Sequence, residues 1–347
     1  MEIQVNSYSH DSVHEFIALV IEEQRGSYRL LSDDTECLAE LAGRLRHRAE
    51  ARAQLPAVGD WVRAVAATSS TGRALIHEVL PRRSHISRAA AGNPTEEQVL
   101  AANVDTAFIV TSLNLDLNPR RLERYVTLAR DGGVTPVILL TKADLCAKPE
   151  TAVVEVAAAA PGIAVHAISA WLGQGLEALT SYLAPGKTCV LLGSSGTGKS
   201  TIVNHLLGAE VLPVSPIREG DDRGRHTTTH RELLRLPGGA HLIDTPGIRE
   251  IQLWNGDEDG VLKQAFGDIA SLATACRFKD CKHQTEPGCA VKAAVEEGAL
   301  EAGRLESHAK LQRELAFLER KQDKRAQAEH KKKCREVNLA KKTIQFR

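Results

Sequence analysis

The stretch Gly193-Ser-Ser-Gly-Thr-Gly198-Lys199-Ser200 constrains this chain more than any other. It fits the pattern GxxxxGK[ST], follows the apolar run Thr188–Leu192 and opens an amphipathic stretch over Lys199–Leu207. Strand, glycine-rich turn and helix in that order are what a phosphate-cradling loop requires. Glycines let the backbone curl until successive N–H groups face one anion, and the helix N-terminus adds positive potential. The pattern predicts that Gly193, Ser194, Ser195, Gly196, Thr197, Gly198 and Thr201 surround phosphates. Lys199 would reach the β- and γ-phosphates, and the Ser200 hydroxyl would ligate Mg2+.

The surrounding sequence alternates in a way that suits such a loop. Strands are predicted at 106–113, 135–141, 164–169, 188–193, 232–237 and 240–245. Amphipathic stretches lie between them at Pro119–Arg130, Thr151–Ala159, Leu176–Leu183 and Lys199–Leu207. This predicts an α/β domain, a mostly parallel sheet with helices on both faces. Phe16–Leu80 is different: short β-rich runs separated by Gly, Pro and Asp predict a small β-barrel of about 65 residues. One of those runs contains Gly43-Arg-Leu-Arg-His-Arg48, where a strand would place Arg44, Arg46 and Arg48 on one face. Arg82 to Glu97 reads as a linker. After Ile251 only helical periodicity is visible. The expected division is 1–90 for the barrel, 91–250 for the α/β domain and 251–347 for a mainly helical domain with a basic tail.

Two further elements narrow the chemistry. Asp244 ends the apolar run before Thr-Pro-Gly247, where a carboxylate can hold Mg2+ directly or through water and the Gly247 N–H can meet a γ-phosphate. Thr141-Lys142-Ala143-Asp144 also follows an apolar run. A carboxylate at Asp144 can accept from guanine N1 and N2, which adenine cannot match, while the Lys142 stem packs on the base. Ser169 and Ala170, after the next run, would support that base from the other side. Both base elements precede the phosphate loop in the chain.

A third constellation is Cys276-Arg-Phe-Lys-Asp-Cys281-Lys-His283-Gln-Thr-Glu-Pro-Gly-Cys289. Three thiolates and an imidazole at this spacing suit a closed tetrahedral site for one structural Zn2+. Seven cysteines without a secretory signal predict a reducing, cytoplasmic setting rather than a disulfide framework. No apolar run reaches the ~18 residues that span a bilayer, so no membrane association is expected. The 44 basic and 44 acidic residues balance overall. From Glu301 to Arg347, however, there are 14 basic against 7 acidic, which suits a polyanion partner.

With its base elements ahead of its phosphate loop, the chain resembles the circularly permuted GTPases. Gly224-Arg-His226-Thr227-Thr228-Thr229, the segment Asp244–Glu250 and the cysteine cluster make it similar, over nearly its whole length, to the RsgA (YjeQ) family of small-ribosomal-subunit-dependent GTPases. The resemblance implies an OB-fold barrel, a permuted GTPase domain and a zinc domain, with GTP/GDP, Mg2+ and Zn2+ as ligands. It also implies the small ribosomal subunit and its rRNA as partners, late maturation as the setting, and stimulation of hydrolysis by the subunit. Arg44, Arg46, Arg48 and Lys331–Lys333 become expected rRNA contacts, and a monomer is expected. Thr141 departs from the Asn common in GTPases, and Ile248 from the water-positioning Gln. His226 is therefore the expected water-positioning group, beside Thr228 as the second hydroxyl on Mg2+. The competing readings are an RNA-binding assembly factor that uses GTP as a slow clamp, and an ATPase or kinase, against which Asp144 argues.

Overall fold

The computed structural model describes residues 15–24, 26–66, 72–90, 93–114, 117–194, 196–212, 231–244 and 266–313. Ser195, His226, Thr228, Gly247, Ile248 and Lys331–Lys333 lie outside them.

Five strands close the N-terminal barrel: β1 (Glu15–Gln24), β2 (Ser27–Ser32), β3 (Thr35–Leu41), β4 (Trp61–Val65) and β5 (Ala74–Val79). Their order is β1-β2-β3-β5-β4, and β4 pairs back onto β1 from Glu15↔Val65 to Leu19↔Trp61. β3 and β5 run parallel, and the other pairs are antiparallel. Ala18, Val20, Leu30, Ala39, Val62, Ala64 and Ile76 fill the interior. β5 shows the period-two logic plainly, with Ala74 and Ile76 inside and Leu75 and His77 outside.

The barrel corrects two expectations. The sequence reading missed β3 and placed a strand at Gly43–Arg48, which is a short helix, α1. A strand there would bury only Leu45, which instead packs against the barrel core from the helix. Arg46, His47 and Arg48 fall in the last turn, where positive charge meets the negative end of the helix dipole. Arg44, Arg46 and Arg48 are exposed but share no strand face.

The expected linker is also structured: β6 (His85–Ala90) and β7 (Asn93–Ala102) form an antiparallel hairpin across residue 90. Ile86, Leu100 and Ala101 are buried, which is why the segment folds instead of connecting loosely. The barrel docks on it through backbone, with the Ala102 N–H donating to Val58 O at 2.9 Å. A Cβ at Gly59 would stand 2.2 Å from Ala102 O, so only glycine permits this approach. Arg82 fastens the junction. It donates to both oxygens of fully buried Asp60 (2.8 and 2.7 Å) and to the carbonyls of Ala53 and Leu55.

The central sheet holds β8 (Thr106–Ser112), β9 (Thr135–Thr141), β10 (Ala164–Ala167), β11 (Thr188–Leu192), β12 (Arg231–Arg235) and β13 (His241–Asp244). Its order is β10-β9-β8-β11-β13-β12, parallel except for β12. Alternate residues of one strand serve opposite cores. Ala107 and Ile109 of β8 face the core shared with α2 (Pro119–Asp131) and α3 (Pro149–Ala159). Phe108 and Val110 face the core built with α4 (Lys199–Leu207). Leu176–Leu179 is a short 3-10 turn rather than the predicted longer amphipathic stretch. β12 also pairs with β1 at Glu22↔Glu232 and Glu23↔Arg231, so barrel and α/β domain share one eleven-stranded sheet.

C-terminal helices at Gly267–Ala273, Ala290–Glu296 and 302–313 pack Phe266, Ile269, Val291, Leu300 and Leu311 into the α2–α3 core. Among the described residues, no helix is long and apolar enough to cross a membrane.

Candidate functional site

In an open α/β sheet, ligands bind beyond the carboxyl ends of the strands, where the strand order reverses. Here the chain runs outward from β8 through β9 to β10 and then begins again with β11 on the other side of β8. The reversal lies between β8 and β11, and the glycine-rich segment follows β11 directly.

That segment is held from beneath. A Cβ on Gly193 would sit 2.3 Å from Val110 O, so glycine is what lets the loop leave β11 against β8. Thr197 Oγ1 donates to Ser194 O at 2.9 Å, and Gly198 caps α4. The Lys199 ammonium donates to Gly193 O at 2.8 Å and Ser194 O at 2.6 Å, which places its charge inside the curl. Asp244 ends β13 nearby and is 6% exposed. Burial pushes its carboxyl above the usual aspartate range, and the Lys199 charge opposes that rise.

Thr141, buried at the end of β9, bridges the two halves. Its hydroxyl donates to Thr197 O at 2.6 Å, with Thr111 O 3.2 Å away. The short threonine hydroxyl thus braces the phosphate-loop segment against β9. Lys142 follows with φ of 58°, a left-handed turn that swings the chain toward Asp144. A cavity of about 200 Å3 opens there, lined by Thr141, Lys142, Asp144, Leu145, Ala170, Trp171, Gly198 and Thr201. Ala143 and Ser169 do not line it. The Ala143 N–H donates to Ile168 O at 3.2 Å, and fully buried Ser169 accepts from the Leu172 N–H at 3.2 Å. Both residues tie the cavity's loops together. The sequence reading missed Leu145 and Trp171, although a tryptophan directly after Ser169-Ala170 in a chain with three was an available signal.

The geometry suits a nucleotide. A carboxylate and an ammonium stem line a cavity that also touches the first turn of α4, and the curled loop and Asp244 stand alongside. Ser200 and Thr201 occupy that turn and Asp244 ends β13, and hydroxyl and carboxylate oxygens are donors of the type that Mg2+ takes.

The second centre lies in the C-terminal region. Ligand atoms of Cys276, Cys281, His283 and Cys289 all fall within 4.8 Å of one another. Cys276 Sγ is 3.9 Å from Cys289 Sγ and 3.7 Å from His283 Nδ1, which is 3.4 Å from Cys289 Sγ. A tetrahedron with Zn–S near 2.3 Å and Zn–N near 2.0 Å has edges of about 3.5–3.8 Å, so the donor set fits. Glu286 organises the intervening turn by accepting from the N–H groups of Lys282, Gln284 and Thr285. Its own backbone N–H, followed by those of Gln284, Lys282 and Thr285, holds its carboxyl down at about 2 against the opposing effect of burial.

Residues 79–254 match the family described as RsgA GTPase. A protein of Opitutus terrae named small ribosomal subunit biogenesis GTPase RsgA is 47% identical over 340 residues, 95% of this chain and 92% of that one. One of Oceanobacillus iheyensis named small ribosomal subunit biogenesis GTPase RsgA 1 is 43% identical over 334 residues, 96% of this chain and 95% of that one. Among solved structures, YjeQ from Thermotoga maritima aligns with a TM-score of 0.63 at 26% identity, covering 87% of this chain and 99% of that one. YloQ, described as a circularly permuted GTPase, agrees in fold, with a TM-score of 0.59 over 90% of this chain and 98% of that one. The Asp144 cavity, whose β9 and β10 loops precede the glycine-rich loop in the chain, the barrel, the cysteine cluster and these relatives lead to one conclusion: the chain belongs to the RsgA GTPase family.

Proposed function

We propose that this protein hydrolyses GTP to GDP and phosphate on the small ribosomal subunit, in the cytoplasm, during the subunit's late maturation. The observation that carries the reading is the Thr141–Thr197 bond, which fixes the Asp144 cavity against the glycine-rich loop, joined to the names of relatives that match almost the whole chain.

In this reading Asp144 accepts from guanine N1 and N2, and the Lys142 stem and Ala170 flank the base, with Ala143 and Ser169 positioning the loops. The amides of Gly193–Gly198 and the Lys199 ammonium neutralise phosphate charge. Ser200, Asp244 and Thr228 hold Mg2+, which would spread the charge that develops on the phosphate oxygens. Gly247 offers its N–H to the γ-phosphate, Thr201 borders the nucleotide, and His226 positions the attacking water. Cys276, Cys281, His283 and Cys289 hold one structural Zn2+. The exposed Arg44, Arg46 and Arg48, with Lys331–Lys333, supply rRNA phosphate contacts.

Phosphate release from GTP and from ATP, with and without purified small subunits, tests this directly. Slow GTP turnover that rises many-fold with subunits, with ATP inert, is expected. GTP binding without stimulation would indicate a structural clamp instead.

Asp244 carries a separable prediction. Because its folded-state carboxyl titrates above the unfolded value of 3.8, its ionised form costs stability at every pH above that value. Asp244→Asn is expected to raise the melting temperature of the nucleotide-free protein at pH 7 while abolishing Mg2+-dependent turnover. An unchanged or lower melting temperature would contradict the buried-charge account.

A further inference from the structure

Trp171 is the most exposed large hydrophobic side chain among the described residues, at 78%, and Leu145 stands at 66%. Both line the cavity that also holds Lys142 and Asp144. Exposed aromatic surface beside a concavity marks a place where something apolar docks.

The turn that carries Trp171 is well fixed. The Ser169 N–H donates to Gln174 O at 2.9 Å, and the Gln174 N–H returns to Ser169 O at 3.0 Å. The Leu172 N–H meets Ser169 Oγ at 3.2 Å, and Ser169 itself is fully buried. Three bonds across six residues hold the Trp171 backbone in place relative to β10. The backbone that presents the indole at the cavity is therefore ordered before binding, which leaves only the side-chain torsions to fix. An indole and a leucine offer nothing to a phosphate, and they offer a flat apolar wall to a ring. An acceptor carboxylate lining the same cavity as these two side chains suits a planar heterocycle that carries N–H donors on one edge.

We propose that Trp171 packs against the guanine base and is a main determinant of nucleotide affinity in this chain, an inference that rests on the guanine-nucleotide reading of Asp144. The two residues divide the work. Asp144 reads the hydrogen-bonding edge and sets guanine apart from adenine, whereas Trp171 contacts the ring and is indifferent to its substituents.

The full-length protein is titrated with GDP, inosine diphosphate and ADP by calorimetry, with tryptophan emission followed in parallel. Trp171→Ala is expected to weaken GDP and inosine diphosphate by the same factor, about tenfold or more, the scale of base–aromatic stacking. Trp171→Phe keeps a ring and is expected to stay within about threefold of wild type while losing the emission change on GDP binding. The melting temperature of the nucleotide-free protein should not move, because the side chain is exposed. Wild-type GDP affinity in Trp171→Ala, or equal losses in the Ala and Phe variants, would overturn the role of Trp171 and leave the Asp144 reading intact. Wild-type protein that binds ADP as well as GDP would instead overturn the guanine reading itself, and the proposal with it.

Discussion

Replacing Arg304 with alanine is expected to destabilise the folded chain by about 3–5 kcal/mol, the cost of leaving buried charges without their partner. Arg304 lies on the helical stretch 302–313 and is 8% exposed. Its guanidinium bonds both oxygens of Asp268, Glu123 Oε1 on α2 at 3.0 Å and the Ala159 carbonyl at the end of α3 at 3.0 Å. It also lies 4.9 Å from the centre of the Phe266 ring. One side chain thus pins the C-terminal helices to two helices of the GTPase domain. A lowered urea midpoint by circular dichroism is the expected readout. Arg304→Met combined with Glu123→Gln and Asp268→Asn should recover much of the loss, because no charge is then stranded.

The two carboxylates respond to acid in opposite senses. Burial alone would raise Asp268, but its bonds to Arg304 outweigh burial and hold it below its ordinary 3.8. Its contribution is therefore complete above that value and is lost as pH falls through the lower folded one. Burial raises Glu123 despite Arg304, so its ionisation costs stability above its unfolded 4.5. Arg304→Ala should accordingly flatten the acid limb that belongs to Asp268. An acid profile identical to wild type would show that Asp268 draws its stability from elsewhere.

Lys199→Ala is expected to lower the single-turnover rate of GTP hydrolysis by about a hundred- to a thousandfold, the scale of losing one preorganised charge donor. The ammonium is already drawn into the loop by Gly193 O and Ser194 O, so reorganisation upon reaction is small. Lys199 also holds down the Asp244 carboxyl. The alanine variant should therefore raise that carboxyl further, which a pH–rate profile of the residual activity would show as a shift to higher pH. A rate within threefold of wild type at saturating GTP would remove Lys199 from phosphate stabilisation.

What could be read from the sequence follows from which signals were strong. The runs at β8, β9, β11 and β13 are apolar on both faces, so burial between two helical layers is written into composition, and their positions were legible. The Gly43–Arg48 stretch misled because alternating charges imitate a strand's period. With Leu45 as its lone apolar residue, there was no face for a sheet to bury. The hairpin β6–β7 was hidden by Ala, Ser and Arg, whose burial depends on what the barrel and α2 bring to them. For the site, residue types and spacing singled out Asp144, Lys199 and four Cys and His residues, which the fold places at a cavity, inside the glycine-rich curl and in one cluster. The bracing role of Thr141 was not visible, because it depends on a hydroxyl reaching a carbonyl 56 positions further along the chain.

The pairing of β12 with β1 bears on how this protein can be dissected. β12 lies at the end of the central sheet, and its first two residues, Arg231 and Glu232, pair with Glu23 and Glu22 of the barrel, with an Arg231–Glu23 ion pair at 3.3 Å beside them. A chain cut after residue 80 would keep the Asp144 cavity and the glycine-rich loop, yet gain a bare strand margin of unpaired N–H and C=O groups. Such a margin recruits other copies. The barrel thus also shields the sheet from self-association, whatever else it contacts, and the isolated GTPase portion should be prone to aggregate even where its own core is intact.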